Sequence, residues 1–262
     1  MTASPQWDPR SDREQFRAFA QIYTPGVSPL YEALSKIVLR HDSLLALVRD
    51  RRPGQPAPNM LFAAVKILVG MQGPRTKLIR YYPDLGGDLP ADDPELEAAF
   101  VDFCMRHSNI LRGVIEQRVT NTNEVRRSTC LMPAYMEAAR HFGSAPFSLI
   151  EIGSSAGLNL NWDRYAYQYR GKDGAVLAAG DLERGGLLLE CELRGEHHPG
   201  PWPDWPPVIA DRCGIERDWV DLGEGEDRAW LHALIWPEHV DRIDRLARAL
   251  DIAAAHPPQT RG

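Results

Sequence analysis

The chain has little cysteine, no long apolar run and no surplus of basic charge, and each absence narrows the field. Its four cysteines, Cys104, Cys130, Cys191 and Cys213, stand far apart and form no Cys-x-x-Cys pair. A disulfide framework is not expected, which suits a reducing compartment. Cys191, His197, His198 and Cys213 come nearest to zinc chemistry but lack paired ligand spacing, so no metal is expected. No segment approaches the ~20 consecutive apolar residues of a membrane span. Met1 to Arg13 carries no apolar signal-peptide core. The expected location is the cytoplasm, with no membrane partner. A formal net charge of -6 removes the basic field that nucleic acid demands; the ligand expected from the motifs below is a small molecule. Complete catalytic strings are missing too: no Gly-Lys-Ser/Thr of a P-loop, no Gly-x-Ser-x-Gly elbow, no Asn-Pro-Pro-Tyr.

What is present is enough apolar residue, 44% of 262, for a proper core. Residues 1–143 read as a helical region. Phe16, Phe19, Ala20 and Tyr23 recur at helical spacing, and Ser28-Pro29-Leu30 restarts a helix striped by Tyr31, Leu34, Ile37 and Val38. Asn59 caps an apolar helix from Met60 to Met71, ended by Gly73-Pro74, and one further helix runs from Glu95 through Val119. Asn121 and Glu124 have capping-box spacing, ahead of a helix that reaches Gly143.

Residues 144–262 read as an α/β part, packed with the first as one unit. Phe147, Leu149, Ile150 and Ile152 make a buried parallel strand carrying Glu151. A loop with Gly153, Ser154, Ser155 and Gly157 follows, then Asn159 and a helix start at Leu158, Leu160 and Trp162. An apolar strand, an acid and a Gly-x-x-x-Gly turn look like the first strand-loop of a Rossmann domain that binds a nucleotide or S-adenosylmethionine. Tyr165, Tyr167 and Tyr169 alternate as a ribbon leading to a turn at Gly171–Gly174. A second strand is expected over Gly186–Leu193, an extended loop over Pro199–Pro207, a short strand over Val208–Ile215, and amphipathic helices to Leu250.

Taken together, Ser28-Pro29-Leu30-Tyr31, Tyr81-Tyr82-Pro83, Thr122–Arg127 with Leu131-Met132-Pro133, Leu149–Leu160, Asp163–Tyr167 and Trp230–Glu238 resemble the bacterial DUF2332 family, a domain of unknown function, over nearly the whole chain. That family is similar at fold level to class I S-adenosylmethionine-dependent methyltransferases. The resemblance implies an α/β, Rossmann-like parallel sheet preceded by the helical region, and S-adenosylmethionine as cofactor. Glu151, Gly153, Ser154, Ser155 and Gly157 would wrap its methionine end. Asn159 would add an amide, and Asn123 and Arg127 would reach the carboxylate. Glu190 or Glu192, with Asp211 as an alternative, would take the ribose diol. Asp163 and Tyr165 would face the acceptor side.

Family members continue with further strands, so the sheet is expected to be incomplete at the C-terminus, with an edge covered in a homo-oligomer. The alternative to a methyltransferase is a non-catalytic ligand-binding or interaction protein on a degenerate form of that fold. A nicotinamide-dependent oxidoreductase is disfavoured, because Gly153 and Gly157 lack the Gly-x-Gly-x-x-Gly spacing of dinucleotide binders.

Overall fold

Apolar residues at helical spacing build the first of two units, Met1–Asn121 together with Ala229–Ile243. The computed structural model describes residues 9–121, 123–143, 145–180, 186–194, 207–223 and 225–261. Thr122, His197, His198 and, apart from Pro207, the Pro199–Pro207 loop lie outside the described residues. Helix α1 (Pro9–Ala18) runs into a wider π turn, Phe19–Tyr23, closed by Thr24, whose hydroxyl donates to the Phe19 carbonyl at 2.7 Å. In α2 (Pro29–Val38) Ser28 caps the start, accepting from Tyr31 N, and Pro29 occupies the first turn, where its missing N–H costs nothing. The short α3 (Asp42–Leu45) follows.

Helix α4 (Ala57–Gln72) begins two residues before the expected Asn59 cap. Pro58 is tolerated in the first turn, and the Gln15 side chain accepts from Ala57 N at 2.9 Å, so no side-chain cap is needed at Asn59. Met60 to Val65 are buried on consecutive positions, so α4 is wrapped by its neighbours. Phe62 sits among Phe16, Phe19, Tyr31 and Phe100, with ring centroids 4.7–6.5 Å away. The single helix expected over Glu95–Val119 is two, α5 (Leu96–Arg106) and α6 (Ser108–Gln117). The break is His107, whose backbone leaves helical geometry (φ -108, ψ 16) while its Nδ1 bonds back to the Phe103 carbonyl at 2.8 Å. Trp230 and Ala233 from a later helix, and Leu234 just beyond it, join the same core.

The second unit is Thr122–Arg228 with Asp244–Gly262. Helix α7 (Ser128–Phe142) lies in it and buries Ser128, Thr129, Met132 and Met136. Strands β1 (Phe147–Ile152), β2 (Ala166–Arg170), β3 (Val176–Ala179), β4 (Leu188–Glu192), β5 (Ile209–Ile215) and β6 (Gln259–Arg261) form two sheets. One is all parallel, in the order β1-β5-β6; in the other, β2 pairs antiparallel with β3 and parallel with β4. Helices α8 (Gly225–Ala233) and α9 (Val240–Ala255) lie between β5 and β6 in the chain.

The protein is thus a mixed α/β chain with a helical N-terminal region and a small parallel sheet. The expectation of one sheet is corrected: the Gly186–Leu193 strand joins the tyrosine ribbon, not β1. The tyrosine ribbon and its turn form as expected. Their faces differ from a wet edge, however, since Tyr165, Tyr167 and Tyr169 are all buried. The opposite case is β1, where Leu149 points into the core while Ile150 and Ile152 are 69% and 83% exposed.

Candidate functional site

Strand β1 brings Glu151 to its C-terminal end, and the loop that follows is folded by its backbone. Gly153 N donates to the Ile215 carbonyl at 2.8 Å, tying the loop to the end of β5, and Gly157 N donates to the Ser154 carbonyl at 2.7 Å. The two glycines meet different demands. Gly153 (φ +74) has open space where a side chain would begin, so only its backbone angle calls for glycine. Gly157 (φ +68) would place a Cβ 2.7 Å from Pro258 Cγ, so it is needed for close packing against the C-terminal segment. Ser155 is left-handed without being glycine (φ +49), a strain typical of functional loops. Ser154 to Gly157 are buried and Gly153 is exposed.

The expected helix start at Leu158 is a 3-10 segment, Leu158–Arg164, with Asn161 outside helical geometry. Two tyrosines pin this segment: the Tyr165 hydroxyl donates to the Leu158 carbonyl at 2.7 Å and that of Tyr167 to the Trp162 carbonyl at 2.5 Å, the latter carbonyl also accepting from Tyr165 N at 3.3 Å. No α-helix N-terminus therefore faces the loop from this segment.

Asn159 joins three elements. Its Nδ2 donates to Asn123 Oδ1 at 3.1 Å and to Glu151 Oε1 at 3.3 Å, and its Oδ1 accepts from the Ser128 hydroxyl at 3.1 Å. Asn123 Nδ2 in turn donates to the Ser154 carbonyl at 2.9 Å. These amides aim Glu151 and hold the loop, so they act through protein contacts. The Glu124 carboxylate accepts from Arg126 N at 3.1 Å, capping the 3-10 turn Val125–Arg127. That turn carries Arg127, an exposed guanidinium within electrostatic reach of Glu151.

Burial pushes the Glu151 pKa above the usual carboxylate range, while the Asn159 bond and Arg127 oppose the rise. Its second oxygen, Oε2, is buried without a hydrogen-bond partner, as are the hydroxyls of Ser154 and Ser155. Each such orphan costs ~1–3 kcal/mol unless something fills it. Tyr135 stacks on Trp162 at 4.5 Å beside this network and has its own pKa raised by burial and by Glu151.

Sequence reasoning missed Glu216. It directly follows β5, the strand hydrogen-bonded to β1, and its carboxylate accepts from Ser155 N at 2.9 Å and Asp218 N at 3.3 Å. The only signal was an acid after an apolar run, which does not distinguish it from a surface charge. Glu190 and Glu192 sit on β4 in the other sheet; both are exposed, and Glu190 pairs with Arg170 at 3.2 Å. Asp211, exposed on β5, accepts from Arg212 N at 2.9 Å. Asp163 forms a two-pronged pair with Arg212 at 2.5 and 2.7 Å, and the Tyr165 hydroxyl is used on the backbone. Among the described residues no group of three His, Cys, Asp or Glu could hold a metal ion, and no helix is long and apolar enough to cross a membrane.

No curated protein and no solved structure matches the chain. One family model does, described as "Uncharacterized protein conserved in bacteria (DUF2332)", over residues 13–261. That span takes in α2, α4, the glycine loop, Glu216 and β6 alike. The chain belongs to the DUF2332 family.

Proposed function

We propose that the second unit binds S-adenosylmethionine on a Rossmann-like, class I methyltransferase-like sheet, and transfers its methyl group to an acceptor. The observation that carries this reading is the Glu151 carboxylate, held by Asn159 with Oε2 unpartnered, within reach of the exposed Arg127. A zwitterionic amino-acid end needs both signs: a carboxylate for its ammonium and a planar guanidinium for its carboxylate. The orphan hydroxyls of Ser154 and Ser155 and the open space at Gly153 fit the same end of the ligand.

Parallel pairing of β1 with β5 puts Glu216 at the neighbouring strand's end, where a ribose diol meets a carboxylate in Rossmann folds. In this reading Glu216 replaces Glu190 and Glu192, which lie on the other sheet. Methyl transfer is an in-line displacement, so alignment supplies much of the catalysis and a base is needed only for a protonated acceptor.

Isothermal titration with S-adenosylhomocysteine tests the reading. Micromolar binding that weakens at least about tenfold in Glu151→Gln and in Arg127→Ala supports it. Absence of binding, or affinity indifferent to both changes, overturns it. A non-catalytic binding protein is the second reading, favoured by the amides of Asn123 and Asn159, which are already committed to protein partners. Binding without methyl transfer to any acceptor in a cell extract would select it.

A further inference from the structure

Three of the strings that carry the family resemblance, far apart in sequence, converge inside the first unit. Ser28-Pro29-Leu30-Tyr31, Tyr81-Tyr82-Pro83 with Asp84, and Trp236-Pro237-Glu238 meet around Lys66 of α4. Glu238 accepts from the Ser28 hydroxyl at 2.5 Å and from Leu30 N at 2.9 Å, placing a carboxylate on the first turn of α2. Lys66 Nζ lies 2.5 Å from Asp84 Oδ2, with the two side chains 5% and 2% exposed. It also donates to the Ile235 carbonyl at 2.7 Å and the His232 carbonyl at 3.4 Å. Burial pulls the Lys66 pKa down and pushes that of Asp84 up, each opposed by its partner.

The hydrogen-bond count around this pair is uneven. An ammonium has three donors, and Lys66 uses all three. Asp84 Oδ1 is buried without a partner, and so are the hydroxyls of Tyr31 and Tyr82. Both tyrosines lie within electrostatic reach of Asp84 and Glu238, so the region sets one cation against two carboxylates. Beside the pair opens a cavity of about 500 Å³. Lys66 and Asp84 line it, with walls from Ile67, Leu85, Ala233 and Ile243 and the exposed Met71.

We propose that this cavity is a second ligand site, taking an organic amine whose protonated head donates to Asp84 Oδ1 and whose apolar body lies against Ile67, Leu85 and Met71. The arithmetic of donors selects the head. A carboxylate ligand would find Lys66 already saturated and would face Asp84, whereas an ammonium supplies the donor that Oδ1 lacks. The apolar walls select the body. This site is independent of the glycine loop, which lies in the other unit.

Benzylamine, benzyl alcohol and benzoate share one body and differ in the head, so they are the probes, titrated into the whole chain and followed by amide NMR. Benzylamine is expected to move the Gly70, Met71 and Ala233 amides and to bind about tenfold more tightly than benzyl alcohol, with benzoate weakest. Asp84→Asn is expected to erase the preference for the amine. Because that change strips Lys66 of its counter-charge and endangers folding, Gly70→Leu gives a second test. A Cβ added at Gly70 would make ordinary contact with Leu85 at 3.9 Å, and both residues line the cavity, so a leucine there takes up its space without a clash at Cβ, on a helix that favours leucine over glycine. It is expected to abolish benzylamine binding while S-adenosylhomocysteine binding stays as in the unaltered chain. Benzoate binding as tightly as benzylamine, shifts confined to other residues, or unchanged amine binding in Gly70→Leu would each overturn the site.

Discussion

The two units hold themselves together by different means. The first packs Phe16, Phe62, Phe100 and aliphatic residues around α4, with charge admitted at Lys66 and Asp84. The second has large buried side chains as well, but many of them are polar-tipped. Tyr165, Tyr167 and Tyr169 each donate to a backbone carbonyl, and Asn159 is a buried amide with three partners. Apolar packing tolerates exchange of shape for shape, whereas hydrogen-bonded cores are specific and fail by single atoms. The unit carrying the glycine loop is the one built for fixed positions.

Mutations that trade on this difference should separate the units, from the largest effect to the smallest. Asp84→Ala leaves Lys66 buried without its counter-ion and should cost about 3–5 kcal/mol in urea unfolding. The pair replacement Lys66→Met with Asp84→Leu should cost far less, which distinguishes a stranded charge from a lost attraction. Gly157→Ala should cost about 2–4 kcal/mol, since the methyl group meets Pro258 and the left-handed angle disfavours it. Gly153→Ala, with the strain and no collision, should cost only about 1–2 kcal/mol. Tyr165→Phe should lose about 1–2 kcal/mol by removing the hydroxyl's buried hydrogen bond to the Leu158 carbonyl, while Phe62→Leu in the other unit should fall in a similar range with no polar atom involved.

The pH dependence is the finest test. Burial raises the folded pKa of Glu151, so its contribution to stability is full below the ordinary carboxylate value of 4.5 and is lost as pH rises through the raised value. Glu151→Gln should therefore raise Tm at neutral pH, and that gain should vanish in acid. Ligand affinity should run the other way, with S-adenosylhomocysteine binding more tightly as Glu151 loses its proton. A Tm gain equal at pH 4 and pH 7 would show that ionisation of Glu151 is not what limits stability there.

Much of this arrangement is legible in the residues alone. Alternation and the Gly171–Gly174 signal located β2 and the turn after it, though not β3, and the apolar run with its glycines located β1 and the loop. Those signals are local. Which strand lies beside β1 is not local, and an apolar run at β4 looks the same as one at β5. The proposed acid was therefore sought at Glu190 and Glu192, which lie in the other sheet, while Glu216 follows the strand paired with β1. Asn159 was read as reaching a ligand because sequence shows an amide without showing that Ser128, Asn123 and Glu151 use it. The break at His107 escaped for a similar reason, since a histidine that bonds its own helix's carbonyl leaves no mark in the periodicity.

The contact between Gly157 and Pro258 sets an order of events. The loop is synthesised early and the proline that packs on it late, so while the chain is still emerging the loop can take its left-handed angles but not its finished seat. Pro258 and β6, which follows it and pairs with β5, act as a closing clasp on a site whose other parts are already made. Release of the loop and release of the C-terminal segment should then be one event: a protease that cuts near Pro258 should expose Gly157 and Ser155 in the same step.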